Sequence, residues 1–241
     1  MIRFCDDLEA VSRVAAECVA AEANRAVQER GRFTLALSGG STPARTYELL
    51  AQLPFRELIP WEKSHIFWGD ERCVPGTDRR SNAGMARRAL LDQVPIPAEQ
   101  IHPMECASSP KDSAREYQSL LFELFAGDLP CFDLILLGLG ANGHTASLFP
   151  EEPVLDEQQR WVSEVYVAEE GLYRLTLTVP VINQAAVVIF LVSGSDKASV
   201  LREVLESTPD PHRIPACLIK PNMGRLMWLV DKEAASLLKK N

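Results

Sequence analysis

Four short polar segments carry the side chains from which chemistry could be built: SGGSTP (38–43), GDER (69–72), GLGANGH (138–144) and SGSDK (193–197). In the first, Gly39 and Gly40 permit a tight turn and close approach of a ligand to the backbone, and Ser38, Ser41 and Thr42 add hydroxyls. Pro43 suits the first position of a helix, with Thr42 as its cap. The free N–H groups and positive dipole of such a helix start favour a phosphate. No Gly-Lys-Ser/Thr follows, so this is not a Walker A loop. In GDER, Arg72 is suited to a bidentate grip on phosphate or carboxylate, and Asp70 to accepting hydrogen bonds from substrate hydroxyls. Lys197 opens a helix in the fourth segment. Arg174 shares a strand face with Thr176 and Thr178, consistent with an exposed strand or with a phosphate contact.

The third segment poses a choice. Gly138, Gly140 and Gly143 satisfy the G-x-G-x-x-G pattern of a dinucleotide-binding turn. That fold requires a long helix after the glycines and an acid about twenty residues on. Here only a short helical window, 145–149, precedes Pro150, and Glu164 sits within WVSEVYV rather than at an evident strand end. The glycines are better read as presenting His144, whose ordinary pKa of ~6.5 suits proton transfer near neutrality. His65, His102 and His212 have no comparable setting. No H-E-x-x-H, metal-ligand spacing or G-x-S-x-G elbow occurs, so no metal and no serine nucleophile is expected.

The elements that must position these groups follow from periodicity. Residues 6–30 are helical in pattern, with Asp6 and Glu9 resembling a capping box and Gly31 a stop. FTLAL (33–37), HIFWG (65–69), FDLILLG (132–138), VVIFLV (187–192) and LMWLV (226–230) read as strands. YRLTLTV (173–179) alternates and reads as a half-exposed or mixed-sheet strand. Helices are expected over 43–50, 82–93, from Ser109 onward, over 196–206 and at the C-terminus. Strands alternating with helices, and no linker-like segment, predict one α/β domain over residues 1–241. The four polar segments follow apolar strands, so parallel strands would bring all four to one rim, where open α/β sheets bind ligands.

Composition narrows the function further. A formal charge of −8 disfavours nucleic-acid and anionic-membrane partners. The longest apolar run, AAVVIFLV, is too short to span a bilayer. The first ten residues, MIRFCDDLEA, carry acids where a secretory signal would be apolar, so a cytoplasmic location is expected. The six cysteines contain no C-x-x-C pair and are expected to be reduced thiols.

Taken in order, LALSGGSTP, FWGDERCVP with Ser81-Asn82, DLILLGLGANGHTASLFP, RLTLTVPVIN and VSGSDK resemble the 6-phosphogluconolactonases, in the family that also holds the glucosamine-6-phosphate isomerases/deaminases. The resemblance implies a Rossmann-like three-layer α/β/α fold with a mainly parallel sheet, no cofactor, and lactone hydrolysis in the oxidative pentose phosphate pathway. His144 would be the base acting on water. The lactone's phosphate would rest on residues 38–42, with Arg72, Arg174 and Lys197 as candidate cations, and Gly143 and Asn142 would frame the histidine. A monomer is expected, with a weak homodimer as the alternative. The family usually has Asp-Gly-His where this chain has Asn142-Gly143-His144; Asn142 can hydrogen-bond but cannot stabilise an imidazolium by charge. Two other readings compete. Amino-sugar-6-phosphate isomerisation and deamination uses G-H-I-A-F-N-E-P after the turn, whereas Leu148 and Phe149 supply no carboxylate. A non-catalytic sugar-phosphate-binding module would account for Asn142.

Overall fold

The computed structural model describes residues 1–239. Nine strands lie in chain order: β1 (Ile2–Cys5), β2 (Phe33–Leu37), β3 (Ser64–Trp68), β4 (Asp70–Arg72), β5 (Leu134–Gly138), β6 (Val162–Val167), β7 (Leu172–Leu177), β8 (Val187–Val192) and β9 (Arg225–Asp231). The helices are α1 (Leu8–Arg30), α2 (Ser41–Leu50), α3 (Phe55–Leu58), α4 (Asn82–Ala86), α5 (Pro110–Leu124), α6 (Val179–Asn183) and α7 (Ala198–Glu206). None is long and apolar enough to cross a membrane.

Six strands form one sheet in the order β1-β9-β8-β5-β2-β3, and every adjacent pair is parallel. Helices flank it, giving the Rossmann-like three-layer α/β/α fold. FTLAL and VVIFLV are buried at every position, which is why they carry no polar alternation: both faces are covered. The chain leaves β2 for β3 on one side and returns to β5 on the other. Loops after β2 and β5 therefore diverge at this switch point and open a crevice at the strands' carboxyl ends.

The alternating strand 173–179 lies elsewhere. β4, β7 and β6 form a second, antiparallel sheet with β7 in the middle. Gly69 joins β3 to β4, its N–H donating to Leu37 of the large sheet and its carbonyl accepting from Leu177 of the small one. One strand thus passes from sheet to sheet at this residue.

Several local expectations shift. The cap of α1 is Asp7, whose side chain accepts from the Ala10 N–H; Asp6 pairs with Lys232 instead. α2 begins at Ser41, so Thr42 lies inside the helix and Gly40 occupies the cap position. The helix over 82–93 is α4 continued by a wider turn at Arg87–Leu91. Residues 232–237 are turns rather than a C-terminal helix. Cys73 and Cys106 are bonded, against the expectation of six reduced thiols. They are 33 positions apart in sequence but their Cα atoms are 5.1 Å apart, a proximity that short-range spacing does not reveal.

Candidate active site

The crevice at the switch point is a cavity of about 240 Å³ lined by Ser38, Gly39, Gly40, Ser41, Thr42, Asp70, Arg72, His144, Arg174 and Lys197. All four polar segments reach it. Asn142 and Gly143 do not line it; they stand behind His144. Asn82 and Ser193, which sequence reasoning did not place in the site, also face the cavity. The signal for Asn82 lay in the Ser81-Asn82 pair that the family resemblance included, but only the fold brings it to β4.

The phosphate-cradle geometry begins at Gly40, whose φ of 106° lies where a side chain would be strained. No side chain caps α2, so its first-turn N–H groups lack intrahelical partners. Tyr47, in the second turn of the helix, clamps the turn: its hydroxyl accepts from the Ser38 N–H and donates to the Ser38 carbonyl, both at 2.9 Å. The Ser38 hydroxyl has no partner although buried. A Cβ on Gly39 would collide with the Asn82 amide, so glycine there is what lets the two loops meet.

The charged residues divide into engaged and available. Asp70 is 4% exposed. Its carboxylate accepts from the Ser147 hydroxyl at 2.7 Å and from the Asn82 amide at 3.3 Å. Protein partners thus take part of its accepting capacity, and it still lines the cavity. Arg174 is also 4% exposed, so the exposed-strand reading fails. It pairs with Asp70 and Glu170 and lies over the Phe149 ring. Arg72 donates to the Arg80 carbonyl, has its Nε buried without a partner, and meets no carboxylate among the described residues. Among the described residues, the Lys197 ammonium pairs with its neighbour Asp196 alone, at 2.8 Å. Arg72 and Lys197 are the cations left for an anionic ligand.

Glu71, between Asp70 and Arg72, turns inward. Its carboxylate accepts from the Arg72, Asn82 and Ala83 N–H groups and from the Ser81 hydroxyl. Burial raises its pKa, and those four donors oppose the rise. This carboxylate fastens the 72–83 loop and so fixes where Arg72 stands.

No long helix follows the GLGANG turn. The Gly140 N–H donates to the His144 carbonyl and the Gly143 N–H to the Gly140 carbonyl, at 2.8 and 2.9 Å. The glycines wrap the histidine: a Cβ on Gly140 would run into its ring, and one on Gly143, at φ 86°, would press on Ile214. His144 Nδ1 lies 2.6 Å from Asn142 Oδ1. The same oxygen accepts the His144 backbone N–H at 3.2 Å. An amide oxygen only accepts, so Nδ1 carries the hydrogen and Nε2 keeps its lone pair. Burial pushes the His144 pKa down to about 4, with Asp70 acting upward and Arg174 and Lys197 downward. The ring is a neutral acceptor at physiological pH.

Comparison with known proteins places the chain in one family. The family described as glucosamine-6-phosphate isomerases/6-phosphogluconolactonase matches residues 6–228. A 6-phosphogluconolactonase of Synechocystis sp. is 47% identical over 226 residues, covering 92% of this chain and 91% of that protein. One of Nostoc sp. is 42% identical over 217 residues, covering 88% of each. The solved 6-phosphogluconolactonase of Trypanosoma cruzi superposes with a TM-score of 0.88 at 30% identity, covering 99% of this chain and 97% of that one. A monomeric glucosamine-6-phosphate deaminase shares the fold at a TM-score of 0.81 and 22% identity. With the match spanning nearly the whole chain, and the relatives aligned end to end, the chain belongs to the family of glucosamine-6-phosphate isomerases and 6-phosphogluconolactonases.

Proposed function

We infer that the chain is a 6-phosphogluconolactonase, hydrolysing 6-phospho-D-glucono-1,5-lactone to 6-phosphogluconate in the pentose phosphate pathway. The relatives in Synechocystis and Nostoc support the substrate. The observation that carries the chemistry is a neutral imidazole, tautomer fixed by Asn142, on one cavity wall with an uncapped helix start and two available cations.

The phosphate would rest on the N–H groups of Ser41 and Thr42 and the hydroxyls of residues 38–42, with Arg72 or Lys197 meeting its charge. Nε2 of His144 would take a proton as the water oxygen bonds to the lactone carbonyl carbon. The tetrahedral intermediate then collapses by breaking the bond to the ring oxygen, which receives that proton from Nε2. Whichever of Arg72 and Lys197 is not on phosphate would face the oxyanion, a contribution of ~2.7–4 kcal/mol for a well-placed donor. Nothing in this sequence requires a covalent enzyme intermediate. Isomerisation with deamination would need an acid working beside the imidazole; the ring of Phe149 is stacked there instead.

The same reading takes residues 1–241 as one catalytic unit working in the cytoplasm on a small-molecule lactone. The test is hydrolysis of freshly generated lactone above its spontaneous rate, with glucosamine 6-phosphate in parallel. Wild type should consume the lactone alone, and His144→Ala should lose ~10²–10⁴-fold in kcat. Full activity in a folded His144→Ala protein refutes the assignment of the base. Absence of turnover on either substrate favours the binding module.

A further inference from the structure

Asn142 holds only one edge of the His144 imidazole. Its face is covered by Phe149, with ring centroids 4.3 Å apart and planes inclined by 26°. Phe149 lies five positions along the chain, and a reverse turn returns it to the histidine. The Leu148 N–H donates to the Thr145 carbonyl at 2.9 Å, and Ala146 adopts φ 47°, a left-handed conformation that alanine rarely takes. The strain is held by three side-chain contacts: the Thr145 hydroxyl donates to the Gly138 carbonyl, the Ser147 N–H donates to the Thr176 hydroxyl, and the Ser147 hydroxyl to Asp70. Arg174 completes the support, its guanidinium carbon 5.1 Å from the Phe149 centroid. Asp70 and Glu170 hold that guanidinium in place.

We propose that Phe149, backed by Arg174, is a positioning residue for His144: its ring sets the plane of the imidazole and keeps water off that face. The proposal rests on reading His144 as the base. It gives Arg174 a role distinct from phosphate binding, because two carboxylates already neutralise its charge. It also accounts for a strained alanine beside the cavity, since the 145–148 turn is what presents the ring. Offset stacking of aromatic rings is favoured at these separations, and a cation over a ring face adds to its fixation. A misplacement of the base by ~1 Å can cost about 10²-fold in rate, so a modest tilt would be visible.

The groups facing His144 from every packed element are Asp70 on β4, Arg174 on β7, Glu170 in the turn before β7, and Lys197 ahead of α7. Substitution of Phe149 by Leu or Tyr adds or removes none of these charges. Removing the ring lifts part of the desolvation, so the imidazole should titrate higher.

The experiment compares wild type, His144→Ala, Phe149→Leu and Phe149→Tyr. It reads kcat and KM on the lactone, thermal melting, and the NMR titration of the imidazole signals, with His144→Ala assigning the His144 peak among four histidines. For Phe149→Leu the expected result is a kcat lower by ~10–10²-fold with little change in KM. Its His144 titration should move up from about 4 toward 6.5. Phe149→Tyr, which keeps the stacked ring, should recover most of both. A folded Phe149→Leu protein with unchanged kcat and titration overturns the proposal, and so does a loss that tyrosine fails to repair. If His144→Ala keeps its rate, the reading of the base fails instead, and the NMR titration alone then decides whether Phe149 shields the ring.

Discussion

Replacing Asn142 by Asp puts a charge where the structure has a dipole. Asn142 Oδ1 is 2.6 Å from His144 Nδ1, so a carboxylate oxygen at that point would sit in direct contact with the protonated ring. An opposite charge at such range raises an imidazole pKa by ~1–3 units. The exposure of residue 142 favours the lower half of that range, because water screens the pair. Starting from about 4, Asn142→Asp should bring His144 to ~5–6. The sign matters for activity. The working form is neutral, so kcat/KM falls as pH drops through the histidine pKa, and the variant should lose activity at a higher pH than wild type. Near neutrality both are deprotonated, and the variant's imidazole is the stronger base with a stabilised imidazolium in the transition state, so its kcat should be equal or higher. The assay is kcat/KM on fresh lactone between about pH 4 and 8, corrected for spontaneous hydrolysis, together with the imidazole NMR titration. An acid limb that stays where wild type has it would refute the claim that residue 142 governs the ring.

Gly140→Ala should abolish most activity while leaving melting little changed, since the added carbon would strike the His144 ring rather than the sheet; wild-type kcat in that variant would contradict the packing. Inorganic phosphate should inhibit competitively, and Arg72→Gln should weaken that inhibition by about tenfold or more, as expected for losing a charge-assisted bond; an unchanged inhibition constant would move phosphate binding to Lys197. Stability should fall as pH drops from about 6.5 to 4, because burial and His65 hold His102 at about 4 in the folded protein, while the unfolded chain takes up its proton near 6.5. The folded state binds fewer protons in that window, so stability is complete above it and declines within it, by at most about 3 kcal/mol from this residue. His102→Gln should reduce the decline in urea midpoints, leaving the share of His144, which burial also holds at about 4.

The strands of the large sheet were legible because burial on both faces forces apolar runs such as VVIFLV, and their shared direction then dictates that the following loops meet. Polar groups at strand ends consequently converged on one cavity without any distance being known. What stayed hidden depends on partners distant in sequence. β4 is DER, a triplet that reads as solvated; Asp70 and Glu71 are buried only because Ser147, Asn82 and the α4 N-terminus satisfy them. Arg174 stayed open between an exposed strand and a phosphate contact for the same reason. The hold of Ser147 on the Asp70 carboxylate was equally invisible, because the two lie 77 positions apart. The segment 232–237 has helix-forming residues, but it is short, and starting a helix is costly. Asp231 ties down its first turn by accepting from Ala234 while also holding Ser193 and Gly194.

The passage of one strand between two sheets at Gly69 has a kinetic side. β4 and β7 are paired although about a hundred residues separate Asp70 from Thr176, and Arg72 and Arg174 lie opposite one another in that pairing. Closing so long a loop is entropically costly and is deferred until nearer contacts have formed. The guanidinium groups of the crevice therefore arrive with the long-range pairings, after nearer ones such as β2 with β3 have formed. Enzymatic activity recovered during refolding would then lag behind fluorescence of Trp68, whose strand pairs with one about thirty residues away, making turnover a clock for the long-range docking step.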